Sequence, residues 1–205
     1  VAFLTSGGCA PVPNAFRRSG AIERCSKLFE ELDYVLKSHP IETVIIGGSF
    51  GAYFNQNKDA FFVSDDGSRL SLATEQGRNS AIKSFYNLVE QLSMKYEVVV
   101  ISPTVASSNF DPSNMMMTNK RRSIPLSSSL TNRPFAYDNK LEVEMAAWLE
   151  PLSVTFVNQA EKICPAGVCL PLTTDGRPKY KDSTHLRPFY VIEFMDIFDE
   201  HLLLH

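Results

Sequence analysis

Residues 21–49 read AIERCSKLFEELDYVLKSHPIETVIIGGS, and the two halves of this stretch repeat with different periods. In the first half Ile22, Cys25, Leu28, Phe29, Leu32, Val35 and Leu36 recur every three or four residues, which predicts an amphipathic helix over 21–38. His39 precedes Pro40 and is pushed out of the α region, so the helix ends there. In the second half Thr43, Val44, Ile45 and Ile46 form an unbroken β-branched run, which suits a strand covered on both faces. Gly47 and Gly48 break it.

The same alternation continues outward. Ile82, Phe85, Tyr86, Val89 and Leu92 predict a helix at about 79–95, and Val98, Val99, Val100 and Ile101 a strand over 97–102 that Pro103 stops. A helix over 138–150, a strand over 154–158 and an apolar, aromatic helix over 189–203 follow, while residues 1–5 (VAFLT) read as a further strand. Trp148, Phe189, Tyr190, Phe194 and Phe198 read as the cores of their helices. Strands that alternate with helices imply right-handed βαβ units, hence a three-layer α/β/α fold with a mostly parallel sheet. Two stretches interrupt the pattern. Residues 55–77 form a polar excursion around Phe61, Phe62 and Val63, and residues 103–137 form a long connection holding Met115, Met116, Met117, Lys120, Arg121 and Arg122. The methionines line a groove or fill the core; the basic triplet grips an anionic partner or is a solvated loop.

The 205 residues, 44% hydrophobic and 21% charged, suffice for one domain with a sizeable core. A net charge of -3 argues against a nucleic-acid binder, and no apolar run approaches the roughly 20 residues that span a bilayer. The four cysteines fall into two local couples, which suggests disulfides Cys9–Cys25 and Cys164–Cys169 and an oxidising compartment. The alternatives are reduced core thiols or a metal pair. Cys-x4-Cys with only four distant histidines is a poor zinc pattern, so no metal and no cofactor are expected.

In parallel sheets, functional groups gather at the carboxyl ends of strands, here Ser6, Gly7 and Gly8, then Gly47, Gly48 and Ser49, then Ser102 and the loop after Val157. The most informative segment is DSTHLRP, residues 182–188. A carboxylate three residues before a histidine can hold the imidazole through its N–H and stabilise the imidazolium formed on proton abstraction. Asp182 and His185 are therefore the leading catalytic pair. The pattern Gly47-x-Ser49-x-Gly51 has the spacing of a nucleophile elbow, but an elbow should lead straight into a helix and a turn-rich excursion is expected instead. Ser6 is a second strand-end serine.

The Asp182-x-x-His185-Leu186 block resembles that of SGNH (GDSL-like) hydrolases, specifically the SGNH domain fused to acyltransferase-3 membrane proteins of the O-antigen acetylase type. Ser6, Gly7, Cys9 and Pro11, the later Cys25, the strand from Val44 into Tyr53, the strand before Pro103, and Cys164, Cys169, Asp175, Gly176 and Tyr180 match the family's further features. The resemblance covers essentially the whole chain and implies a flavodoxin-like SGNH fold for residues 1–205. It implies His185 as general base and acid, Asp182 as its orienter, and oxyanion donors near Gly8 and Ser49.

No Gly-Asp-Ser occurs, so the resemblance places the nucleophilic serine and its strand outside these residues. It further implies an exported domain on the periplasmic face of a bacterial inner membrane. There it would use an acyl donor and a glycan acceptor, beside a membrane acyltransferase domain of the same protein. The competing reading is a degenerate, non-catalytic module that binds a glycan or a partner.

Overall fold

A computed structural model describes residues 2–17, 19–55, 58–118, 123–125 and 132–199. Along the chain these form β1 (Ala15–Phe16), α1 (Ile22–Ser38), β2 (Thr43–Gly47), α2 (Gly51–Phe54), β3 (Phe61–Val63), β4 (Arg69–Ser71), α3 (Glu75–Ser93) and β5 (Glu97–Ile101). Then come β6 (Met116–Thr118), β7 (Ser123–Pro125), β8 (Phe135–Ala136), α4 (Lys140–Leu149), β9 (Thr155–Val157), α5 (Gln159–Ile163), β10 (Val168–Cys169) and α6 (Pro188–Phe194). The class is α/β. The chain divides into two compact units, Val1–Pro103 with Val143–Phe156, and Thr104–Glu142 with Val157–His205.

The first unit is built on the sheet β2-β5-β9, in which β2 and β5 pair in parallel from Thr43 opposite Glu97 to Gly47 opposite Ile101. β5 is the middle strand, which is why Val98, Val99 and Val100 are buried on both faces and why their sequence shows no polar alternation. Behind it, Phe50 and Phe54 pack against Phe85 of α3, with Phe50 and Phe85 centroids 5.1 Å apart, and Trp148 of α4 stands edge-on to Phe54 at 5.5 Å. Arg78 donates to the Phe54 carbonyl at 2.5 Å, pairs with Glu144 and lies over the Trp148 ring. Helix α3 begins at Glu75 rather than 79 because the Thr74 hydroxyl caps the Gly77 amide, a polar signal that apolar spacing does not carry.

Several expectations are corrected. Among the described residues, 2–5 form no strand and have no ladder partner, and Phe3 is 84% exposed. Apolar, β-prone residues need a neighbouring strand to take their backbone groups before they form one. The excursion after Asn55 contains the hairpin β3–β4, whose first strand pairs antiparallel with β1, Ala15 opposite Phe62. The sheet β2-β5-β9 bears out the expected parallel pairing in β2 and β5, while among the described residues the pairs outside it, β1–β3, β3–β4, β6–β7 and β8–β10, are antiparallel. A one-turn helix, α2, follows Ser49 and Phe50 directly, where a turn-rich stretch was expected.

The second unit has a core of Val105, Phe110, Ile163, Tyr180, Tyr190 and Met195. Tyr180 is fully buried, stacks on Phe110 at 4.1 Å and donates its hydroxyl to the Val105 carbonyl at 2.6 Å, so its polar end is satisfied where its ring is packed. Burial raises its pKa well above the ordinary tyrosine value. The terminal helix ends at Phe194, short of the expected 203, and a 3-10 turn follows at Asp196–Phe198. Met115 is buried, and the Met116 backbone pairs with that of Pro125. Lys120, Arg121 and Arg122 lie outside the described residues.

Candidate functional site

Asp182 and His185 occupy the turn of a short hairpin. Tyr180 and Leu186 form an antiparallel bridge at its base, the Arg187 amide donates to the Lys179 carbonyl at 2.9 Å, and the Lys181 amide donates to the His185 carbonyl at 2.8 Å. Pro188 then fills the first position of α6, where a missing N–H costs nothing, and Arg187 before it is extended as a residue ahead of proline must be. The Arg187 guanidinium donates to the Tyr180 carbonyl at 2.9 Å, and the Ser107 amide donates to the Ser183 carbonyl at 3.0 Å. A second layer braces the approach to the hairpin. Arg177 stacks 4.1 Å over Phe189, bonds Asp175 at 2.6 Å and makes two hydrogen bonds to Glu193 of α6.

Within the turn the Asp182 carboxylate collects donors. Its Oδ1 accepts the amides of Thr184 at 2.8 Å and His185 at 2.9 Å, and His185 Nδ1 lies 2.9 Å from Oδ2 and 3.0 Å from Oδ1. Backbone donation from Thr184 and then His185, followed by the imidazole contact, holds the Asp182 carboxyl well below the usual carboxylate range. A carboxylate that is anionic and faces Nδ1 fixes the tautomer: Nδ1 carries hydrogen, and Nε2 is left as the basic nitrogen. The His185 side chain is 75% exposed and that of Asp182 42%, so the ring's orientation rests on these hydrogen bonds rather than on packing. This arrangement can accept a proton at Nε2 and stabilise the resulting charge, which is the chemistry of a general base.

Gly8 and Ser49 lie together in the first unit. The Cys9 amide donates to the Ser6 carbonyl at 3.1 Å, and Gly8 takes the left-handed φ of +78° that the turn between them requires. Tyr53 of α2 donates its hydroxyl to the Gly8 carbonyl at 3.1 Å. Gly48 approaches Pro11 so closely that a Cβ at that position would stand 2.8 Å from the proline Cδ. The turn holding Gly8 is therefore docked on the loop holding Ser49, and both Gly48 and Ser49 are exposed at the end of β2. Cys9 is bridged to Cys25 of α1, Cα atoms 5.3 Å apart, and Cys164 to Cys169.

Sequence reasoning missed three contributors to the His185 turn, Thr184, the Ser183 carbonyl and Arg187, and matched Tyr180 without its bond to Val105. Only Thr184 had a readable signal, since Asp-x-Thr in a polar stretch is the pattern of a side chain accepting from the backbone two residues on. The others act through contacts to distant or backbone atoms.

The family model described as SGNH domain (fused to AT3 domains) matches residues 1–200. No curated protein and no solved structure matches the chain.

Proposed function

The chain belongs to the family of SGNH domains fused to AT3 domains, a hydrolase or acyltransferase type of domain, and from that premise we propose that His185 and Asp182 form the acid–base pair of an O-acyltransferase or esterase acting on cell-envelope glycans. The single observation that carries the proposal is the Asp182 carboxylate, held anionic by the turn's own amides and 2.9 Å from His185 Nδ1.

In the proposed cycle, a serine supplied outside these 205 residues attacks the carbonyl carbon of an acyl ester, acetyl in the simplest case. His185 Nε2 takes the serine's proton as the new C–O bond forms. The tetrahedral intermediate collapses, the ester C–O bond breaks, and the imidazolium returns the proton to the leaving oxygen, leaving an acyl-serine. A glycan hydroxyl then repeats the sequence as acceptor in transfer, or water in hydrolysis. Backbone amides near Gly8 and Ser49 are proposed to face the oxyanion, one such donor being worth about 3 kcal/mol of transition-state stabilisation. The fusion that names the family supplies the membrane acyltransferase partner, and the two disulfides support export to the periplasmic side.

In the full-length protein His185→Ala should abolish turnover of an aryl acetate with the melting temperature nearly unchanged, because the imidazole is exposed and contributes little to packing. Full retained turnover would remove His185 as the base. Loss of activity together with glycan binding that persists supports the catalytic reading over the binding-module alternative, which requires that no variant of the turn affect any turnover.

A further inference from the structure

The Asp182–His185 turn contains a third polar side chain beside the carboxylate and the imidazole. Thr184 is exposed, yet its hydroxyl oxygen lies 3.0 Å from Asp182 Oδ1 and 3.0 Å from His185 Nδ1. We propose that Thr184 is the positioning residue of the pair, its hydroxyl oxygen within hydrogen-bond distance of both Asp182 Oδ1 and His185 Nδ1, so that it ties the ring to the carboxylate from one side. The proposal rests on the acid–base reading above for its catalytic consequence, though its structural content stands without it.

A hydroxyl has a single hydrogen. Given to Asp182 Oδ1, it becomes the third donor from the turn to that oxygen, after the Thr184 and His185 amides. Oδ1 then has three donors from the turn as well as the imidazole contact at 3.0 Å, so Oδ2, which the ring approaches at 2.9 Å, is the less crowded acceptor for Nδ1–H. The Thr184 oxygen, 3.0 Å from Nδ1, offers the ring N–H a further acceptor beside the carboxylate, so that the hydrogen is held in the fork between Asp182 and Thr184. The β-branched threonine has few χ1 states, which keeps the hydroxyl in that place at small entropic cost. Since the imidazole is 75% exposed, no packed neighbour does this work instead. The direction of Nε2, where a proton would be taken, follows from the direction in which Nδ1 is held.

The test compares Thr184→Val, which keeps shape and β-branching but lacks the hydroxyl, with Thr184→Ser, which keeps the hydroxyl. Both are made in the full-length protein. The readouts are steady-state turnover of an aryl acetate and the Nδ1–H proton resonance of His185 in protein labelled with nitrogen-15 histidine. Thr184→Val is expected to lower kcat about tenfold, the scale of one hydrogen bond to a charged group, with KM within about twofold. Its Nδ1–H resonance broadens through exchange. Thr184→Ser restores both. An unaltered resonance in Thr184→Val overturns the proposal, as does a serine variant as impaired as the valine one. Should His185→Ala itself leave turnover intact, the acid–base reading fails, and the resonance alone decides whether Thr184 positions the ring.

Discussion

Two turns hold the candidate chemistry, and they are held by different forces. The turn from Ser6 to Cys9 is fixed by sterics and covalency: a glycine at φ +78°, a contact of Gly48 with Pro11 that leaves no room for a Cβ, and a disulfide to α1. The turn from Asp182 to His185 has no glycine and no cysteine. It is fixed by one carboxylate that gathers two amides, a hydroxyl and an imidazole. The first suits presenting backbone groups, because what is constrained is the backbone itself. The second suits presenting a titratable side chain, because the constraint ends on the ring. Their failure modes should differ accordingly.

The largest separation between them is expected from the disulfide. Replacing Cys9 and Cys25 together by serine releases a loop with a sequence separation of 16 and should lower unfolding free energy by about 3 kcal/mol in urea titration. The amide resonances of Thr184 and His185 should be unmoved under native conditions; their displacement would show that the two turns are not independently built. A smaller effect is expected from Gly48→Ala. Its new methyl must push Pro11 aside, costing about 1–3 kcal/mol of stability as overpacking, read as a fall in melting temperature. A neutral or stabilising result would mean that the loops merely touch.

The smallest effect is a titration. The Asp182 carboxyl is held below its ordinary value, so the stabilisation it gives the turn is complete above the unfolded pKa of about 3.9 and fades as pH falls toward the lower folded value. The carbon-13 resonance of the Asp182 carboxyl should therefore show no protonation step at the ordinary carboxylate pKa of about 3.9 and titrate only below it, while the Gly8 amide stays still. A carboxyl protonation step at about pH 3.9 or above would contradict the strength assigned to the carboxylate.

Much of this was legible without coordinates, for reasons that differ by element. Glu97–Ile101 announces itself because a strand with both faces covered needs an unbroken apolar run, and Thr43–Gly47 carries the same kind of run although Ile45 is exposed, so the run reads out the strand but not its covering. Ile22–Ser38 shows its helical face equally well. Residues 2–5 have the same composition and form no strand, because a strand is a property of two segments and the sequence displays only one. The pairing of Ala15 with Phe62 was hidden for the same reason. In the site, Asp182 and His185 were readable from spacing, since three residues is the reach of a side chain across one turn. The bond of Tyr180 was not, because it reaches across 75 positions to the Val105 carbonyl.

That last bond has an accomplice. Tyr180 fastens the base of the hairpin to Val105, and Ser107 fastens its tip through the Ser183 carbonyl, so two residues of one strap grip the hairpin at two points. Two anchor points remove a rotation that a single one would allow. The strap over 105–107 and the hairpin that carries His185 are therefore tied together at both base and tip. In hydrogen exchange the Ser107 and Lys181 amides should open together, as one latch rather than two.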